Sequence, residues 1–319
     1  MPSRKHILLA VKAGLSGFLI WLVFSQIDGQ QVFALLLDMA PGAAMMSLAV
    51  ILIQVLPAAL RWTAVLDTIG SPLKLSRASR YIFIGLFFNQ ALPSSLGGDA
   101  VRIYLIHRDG MPLRHAANGI ILERAATIAA MVVLLIVLAP FFLPELDQPA
   151  QYWTLISLAA LFFFCLLGWG SILLVDRLPE RTGQWRVVSA IRKLADDARK
   201  SFGAPAPLVR ILGWGIICHV VVAISVYFIA MGLGIKLSML QCQFLVPLAN
   251  LISMLPFTIA GWGLREGAMV ILLGMVGVAP ENALGISILY GIVVLISGLP
   301  GGILWFAEGA SSRHLGIKN

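Results

Sequence analysis

Leu92-Pro93-Ser94-Ser95-Leu96-Gly97-Gly98-Asp99-Ala100-Val101-Arg102 is matched 163 residues later by Leu255-Pro256-Phe257-Thr258-Ile259-Ala260-Gly261-Trp262-Gly263-Leu264-Arg265. Leu, Pro, Gly98/Gly261 and Arg hold identical offsets, and five of the other seven positions are conservative pairs. Each copy interrupts an apolar run with a proline that cannot donate to a helix ladder, with permissive glycines, and with a charge that hydrocarbon resists. Matched interruptions in the two halves of a membrane chain are the sequence sign of a duplicated, broken helix at a midplane site. The competing reading is two unrelated loops, because Leu-Pro and Gly are common in membrane helices.

Composition sets the class. Apolar residues make up 59% of the chain, charged residues 12%, and the mean hydropathy is +0.92, well outside the range of soluble domains. Runs of spanning length occur at 7–26, 43–66, 116–139, 151–175, 211–233 and 283–307, each near the ~20 residues that a ~30 Å hydrocarbon core requires. The first follows Arg4, Lys5 and His6 as a signal sequence would, but no small-residue cleavage site follows it, so a retained helix is expected. Two further regions, 81–106 and 241–279, contain the breakpoints and read as hairpins or as pairs of crossings. Cys165, Cys218 and Cys242 lie scattered in apolar stretches without metal-ligand or CxxC spacing and read as small core residues.

Charge decides the parity of those regions. Arg4, Lys5 and Lys12 put the N-terminus in the cytosol, and the loop carrying Asp28 and Asp38 has no base. Lys74, Arg77 and Arg80 precede the first broken region and Arg108 and Arg114 follow it, so it starts and ends on the cytosolic side. The connection 140–150 holds Glu145 and Asp147, whereas 176–210 holds eight Lys/Arg; of 23 in the chain, only Lys236 falls in an outer loop. The second broken region then starts and ends outside, and Arg313 and Lys318 close the chain inside. Each half reads span, span, hairpin, span, in opposite orientations. The expected fold is therefore an all-α polytopic membrane protein with six full spans and two re-entrant helical hairpins. They form an inverted repeat, 1–145 against 146–319.

The breakpoints define a chemistry. Tyr81 to Ala91 rises about 16 Å as a helix, which puts Leu92-Pro93 near the midplane. Backbone broken at that depth must be buried in protein or line a wet cavity. A helix restarting after Ser94-Ser95 or at Asp99 aims its positive end at the break and favours an anion. Arg102 and Arg265 add charge at equivalent positions, and a guanidinium grips phosphate in two-pronged geometry. A phospholipid headgroup is the expected guest. Asn89, Gln90, Asn250 and Thr258 are candidate hydrogen-bond partners or structural glue, and Trp262 either packs on the headgroup or anchors its loop.

Other charges in the runs are few. Glu123 and Arg124 lie inside the third run, and Arg61 lies near the inner end of the second, where an arginine can snorkel. Glu123 has two readings, neutralising Arg102 or Arg61 or carrying a coupling proton, with pairing preferred. Glu266, beside Arg265, has the same two. His219 reads as a hydrogen-bonded core residue. Trp185 to Phe202 carries Val187, Val188, Ile191, Leu194, Ala198 and Phe202 on one face and Arg192, Lys193, Arg199 and Lys200 on the other, an interfacial amphipathic helix (185–202) facing an anionic leaflet. Asp196 and Asp197 are expected to pair with Arg192, Lys193 and Lys200. The net charge of +8 comes mostly from such loops and makes no case for nucleic acid. No P-loop, HExxH, GxSxG or zinc spacing is present.

Phe87-Phe88-Asn89-Gln90-Ala91-Leu92-Pro93 through Arg102, Glu123-Arg124, and Leu255-Pro256 through Gly261-Trp262-Gly263-Leu264-Arg265-Glu266-Gly267 together resemble the flippase-like family named for the lysylphosphatidylglycerol synthase transmembrane region. The resemblance covers essentially the whole chain. It implies a bacterial cytoplasmic (inner) membrane protein that moves a phosphate-bearing lipid, aminoacylated, glycosylated or polyprenyl, between leaflets. The sequence closes soon after its last run, so a stand-alone member lacking the synthase domain is expected. No cofactor, metal or catalytic residue is expected. The expected partners are membrane lipids with an anionic or phosphate-bearing headgroup, with room for a lipid-synthesis enzyme, and faces such as Gly14-x-x-Gly17 permit an oligomer. Two other classes stay open: an intramembrane enzyme acting on a lipid phosphate with Asp99 or Glu266 as acid or base, and a non-catalytic scaffold of a lipid-synthesis complex.

Overall fold

A computed structural model of the chain describes residues 29–92, 96–175, 186–253 and 263–314. Among the described residues the regular structure is all helical, without strands. In chain order the helices are α1 (Gly29–Leu37), α2 (Pro41–Ile53), α3 (Val55–Thr68), α4 (Leu75–Ala91), α5 (Gly97–Arg108) and α6 (Leu113–Phe142). They continue with α7 (Gln148–Leu174), α8 (Arg186–Phe202), α9 (Pro205–Gly232), α10 (Met239–Ser253), α11 (Leu264–Gly274) and α12 (Pro280–His314).

Five stretches are long and apolar enough to cross a membrane: Pro41–Thr68, Leu113–Glu145, Gln148–Ile172, Pro205–Gly232 and Pro280–Ala307. They take in most or all of each of the last five apolar runs read from the sequence, while the first, 7–26, lies outside the described residues. The chain is thus a multi-pass helical membrane protein. The first of the five carries a break between α2 and α3 at Gln54. Pro57 explains it, since it has no N–H for the Ile53 carbonyl and its ring crowds that oxygen. Gln54 itself still donates to the Val50 carbonyl at 3.0 Å.

The helices around the two breakpoints are shorter. α4 has 17 residues, α5 has 12, α10 has 15 and α11 has 11, all below the ~20 needed for a full crossing.

By packing, the chain forms two units that interleave along the sequence. The first comprises the described parts of Met1–Val55, Ser79–Arg102 and His219–Asn319; the second comprises those of Leu56–Ala78 and Ile103–Cys218. In the first unit α12 is the central element and packs on α1, α2 and α11. Its contact with α4 is made by glycines. A Cβ at Gly301 would stand 1.9 Å from the Phe83 carbonyl oxygen, and one at Gly302 would stand 2.9 Å from the Phe87 ring. In lipid there is no hydrophobic drive between helices, so such close backbone approach, with its dispersion gain, is what holds them. Phe88 and Trp305 extend the contact edge to face, with centroids 5.0 Å apart. Buried Ser47 and Ser225 join α2 to α9 through hydroxyls 2.7 Å apart.

In the second unit α6 packs on α7 and α8. The expected amphipathic helix is present as α8. Its buried face carries Ala195, Ala198 and Ser201, while Val187 and Ile191 stay exposed beside its bases. Polar contacts dock it: the Asn118 amide donates to Asp197 at 2.7 Å, and the Thr68 and Ser201 hydroxyls lie 2.6 Å apart. Asp197 takes the expected Lys200 at 3.6 Å, and Asp196 takes Arg199 at 2.7 Å. Residues 176–185, including Trp185 at the start of the expected amphipathic helix, lie outside the described residues.

Gly301→Ala should destabilise the first unit by about 1–3 kcal/mol through overpacking against the α4 backbone. Gly213→Ala on α9, where a Cβ meets nothing within 4 Å, should be neutral. Thermal unfolding midpoints in detergent compare the two.

Candidate functional site

At the first breakpoint α4 runs to Ala91 and α5 starts at Gly97. Ser94 and Ser95, between them, lie outside the described residues. The two helices meet backbone to backbone: a Cβ at Gly98 would fall 2.0 Å from the Gly85 carbonyl oxygen, so only glycine fits there. Asn89 closes the corner, its side-chain oxygen accepting the Gly98 N–H at 2.8 Å. That bond ends one of the unpaired amides expected at the helix start, and it gives Asn89 a structural task. Gln90 sits half-buried in the last turn of α4.

Arg102 lies one turn further along α5, its aliphatic stem laid over Gly85, where a Cβ would stand 2.9 Å from Arg102 Cδ. The guanidinium is buried and its Nη1 donates to Asp99 Oδ1 at 3.4 Å. Asp99 occupies the first turn of α5, where the helix dipole favours a negative charge.

At the second breakpoint Thr258 and Trp262, with Pro256, lie outside the described residues. α11 opens at Leu264 from Gly263, whose φ of 88° is left-handed backbone that favours glycine. The Gly263 N–H donates to Glu266 Oε2 at 2.6 Å. Glu266 Oε1 accepts from Arg265 through Nε at 3.1 Å and Nη2 at 2.5 Å, and from Ser287 of α12 at 3.4 Å. The Arg265 guanidinium also stands 5.6 Å from the centre of the Tyr290 ring, a cation–π distance. Tyr290 oxygen accepts from the Asn250 amide at 3.5 Å. Arg265 and Glu266 are both buried.

The structure thus forms two clusters in the first unit, Asn89 with Asp99 and Arg102, and Asn250 with Arg265 and Glu266. The proposed meeting of Ser95 and Thr258 falls on residues outside those described. Each arginine is held by its own carboxylate, which removes the several kcal/mol penalty of a lone buried charge. The carboxylates also occupy the helix starts that the sequence reading left open for a guest anion. Ser287 and Tyr290 escaped the sequence reading. Their signal was present as two polar groups three residues apart on one face of an apolar run.

A third pair lies in the second unit. Arg61 Nη2 donates to Glu123 Oε1 at 3.0 Å with both side chains buried. Arg61 therefore does not snorkel, and of the two partners expected for Glu123 the structure pairs it with Arg61. Thr127 donates its hydroxyl to the Glu123 carbonyl one turn on, at 2.9 Å. Arg124, next in sequence, is half-buried.

Apolar helices of spanning length with ion pairs buried among them define a multi-pass membrane protein that keeps charge inside its helical core. The chain belongs to the family described as the lysylphosphatidylglycerol synthase TM region, whose model matches residues 9–302. None of the curated proteins compared with the chain matches it. Family membership ties the protein to membrane lipids.

Glu123→Leu alone should cost about 3–5 kcal/mol, because it strands the Arg61 charge, whereas the double change Arg61→Met, Glu123→Leu should recover most of that loss. Unfolding midpoints of the two variants against wild type measure the difference.

Proposed function

We propose that the protein is a lipid translocase that moves a phosphate-bearing lipid between leaflets, its headgroup passing the two breakpoints while its acyl chains stay in the bilayer. The reading includes six full spans and two re-entrant hairpins in an inverted repeat, with both termini in the cytosol of a bacterial cell bounded by its inner membrane. Short paired helices on either side of each break support it, as does the positive-inside distribution of charge. It needs no cofactor.

The observation that carries the proposal is that Arg102 and Arg265, at matching positions of the repeat, are both buried and both paired with an adjacent carboxylate. Such a pair is a latch. With no lipid present, the carboxylate neutralises the guanidinium and fixes its place. When a phosphate arrives, the guanidinium turns to it and gains a two-pronged contact. At the second breakpoint the displaced carboxylate remains satisfied, since Glu266 keeps the Gly263 N–H and the Ser287 hydroxyl. At the first, Asp99 keeps the favourable field of the α5 start. The displaced acids therefore keep hydrogen-bond or helix-dipole partners, and the two arginines offer successive holding points.

The test is leaflet exchange of labelled phosphatidylglycerol in proteoliposomes. Wild type should exchange it, and a monodisperse Arg102→Ala, Arg265→Ala protein should be slower by at least about tenfold, the loss expected from one charge-assisted contact of roughly 1.5–3 kcal/mol. Arg265→Lys, which keeps charge but not the fork, should fall between them. Absence of exchange by wild type across several headgroups would overturn the proposal.

A further inference from the structure

The second unit contains an apolar cleft of about 460 Å³ bounded by α6, α7, α8 and α9, within the size range of small-molecule pockets. Small residues make the room: Ala125 and Ala129 on one wall and Gly168 on the other, where a Cβ would meet nothing within 4 Å. Along α7 the wall extends from Phe164 to Ile172, about 12 Å at the helical rise. Phe164 and Leu166 on that wall are also exposed on the outer surface of the protein, so the cleft opens sideways. Trp169 and Phe202 meet edge to face at its α8 end, with centroids 6.1 Å apart.

Charge gathers at that same end. Arg199, one turn before Phe202 on α8, donates to the carbonyl of Ile172 at 3.4 Å and to Asp196 at 2.7 Å. This places a guanidinium beside Ile172, at the α8 end of the cleft wall. α8 carries Arg186, Arg192, Lys193, Arg199 and Lys200 against Asp196 and Asp197. Its exposed Val187 and Ile191 mark it as a helix lying in the membrane interface.

We infer that this cleft holds one acyl chain of an anionic phospholipid from the surrounding bilayer, with the headgroup at the α8 interface beside Arg199. A dry apolar void beside lipid is costly to leave unfilled, and hydrocarbon chains are what the bilayer supplies. The bases at the α8 end select the headgroup by sign. All lining residues belong to the second unit, whereas both breakpoint clusters belong to the first. The site is therefore separate from the translocation reading and stands or falls without it.

The test uses the full chain in nanodiscs containing phosphatidylglycerol with a photoreactive diazirine in mid-chain, or phosphatidylcholine with the same chain, and adducts mapped by mass spectrometry. Adducts should concentrate on Phe164, Trp169 and Leu212, favouring phosphatidylglycerol by about fivefold, and Arg199→Gln should erase that preference. Gly168→Leu and Ala129→Phe, filling the cleft from opposite walls, should each abolish these adducts while leaving those on outward-facing Phe163 and Leu167, which report that α7 is intact. Adducts spread evenly around α7, or unchanged by both fillings, would overturn the cleft as a site. Equal labelling by the two lipids would overturn the anionic headgroup.

Discussion

A guanidinium buried in the core of a membrane protein must carry its counter-charge with it, and the rest of this chain is arranged around that requirement. Among the described residues three arginines, Arg61, Arg102 and Arg265, are buried, and each is bonded to a carboxylate. The pairing does more than cancel charge. It ties Arg102 to the first turn of α5 and Arg265 to the first turn of α11, so the cations take their positions from helix starts, whose own partial charge suits the acid. Helix break, acid and base form one device at both places.

The acids arrive by different routes. In the repeat alignment Asp99 faces Trp262 and Glu266 faces Ile103, so neither carboxylate has a counterpart in the other copy. Asp99 reaches its arginine from three residues before, along the helix. Glu266 reaches it from the next residue and also caps the helix through Gly263. What the two copies share is therefore a function in space, a neutralised arginine at a helix start, reached through different local geometry. Identity of residue at matched offsets identified the arginines and missed this equivalence.

That contrast shows where sequence reasoning was informative. The helical class, the last five apolar runs and the amphipathic helix at 186–202 were legible because hydropathy and the 3.6-residue period are properties of local sequence. The break at Gln54 was equally local, a consequence of Pro57, yet the run 43–66 reads as unbroken because hydropathy is blind to a missing N–H. Arg61 stayed between snorkelling and pairing with Glu123, because nearness to the end of a run does not tell whether a carboxylate 62 residues away faces it. Asn89 stayed between ligand partner and structural glue, and it accepts the Gly98 N–H, a role set by the close approach of two backbones. Ser287 and Tyr290 matter only through what α11 places beside them.

The crossing of α12 and α4 at Gly301 and Phe83 has a mechanical consequence. At Gly301 no side chain separates the two backbones, while Phe87 against Gly302 and Phe88 against Trp305 flank that point, so the nearest approach is a fulcrum whose swing those rings limit. Gly301 lies 21 residues from the start of α12, a lever of roughly 31 Å at the helical rise. A tilt of about 5° at the fulcrum carries the far end of that lever through roughly 3 Å, the scale on which ion pairs exchange partners. Ser287 and Tyr290, which contact Glu266 and Arg265, sit on the same arm.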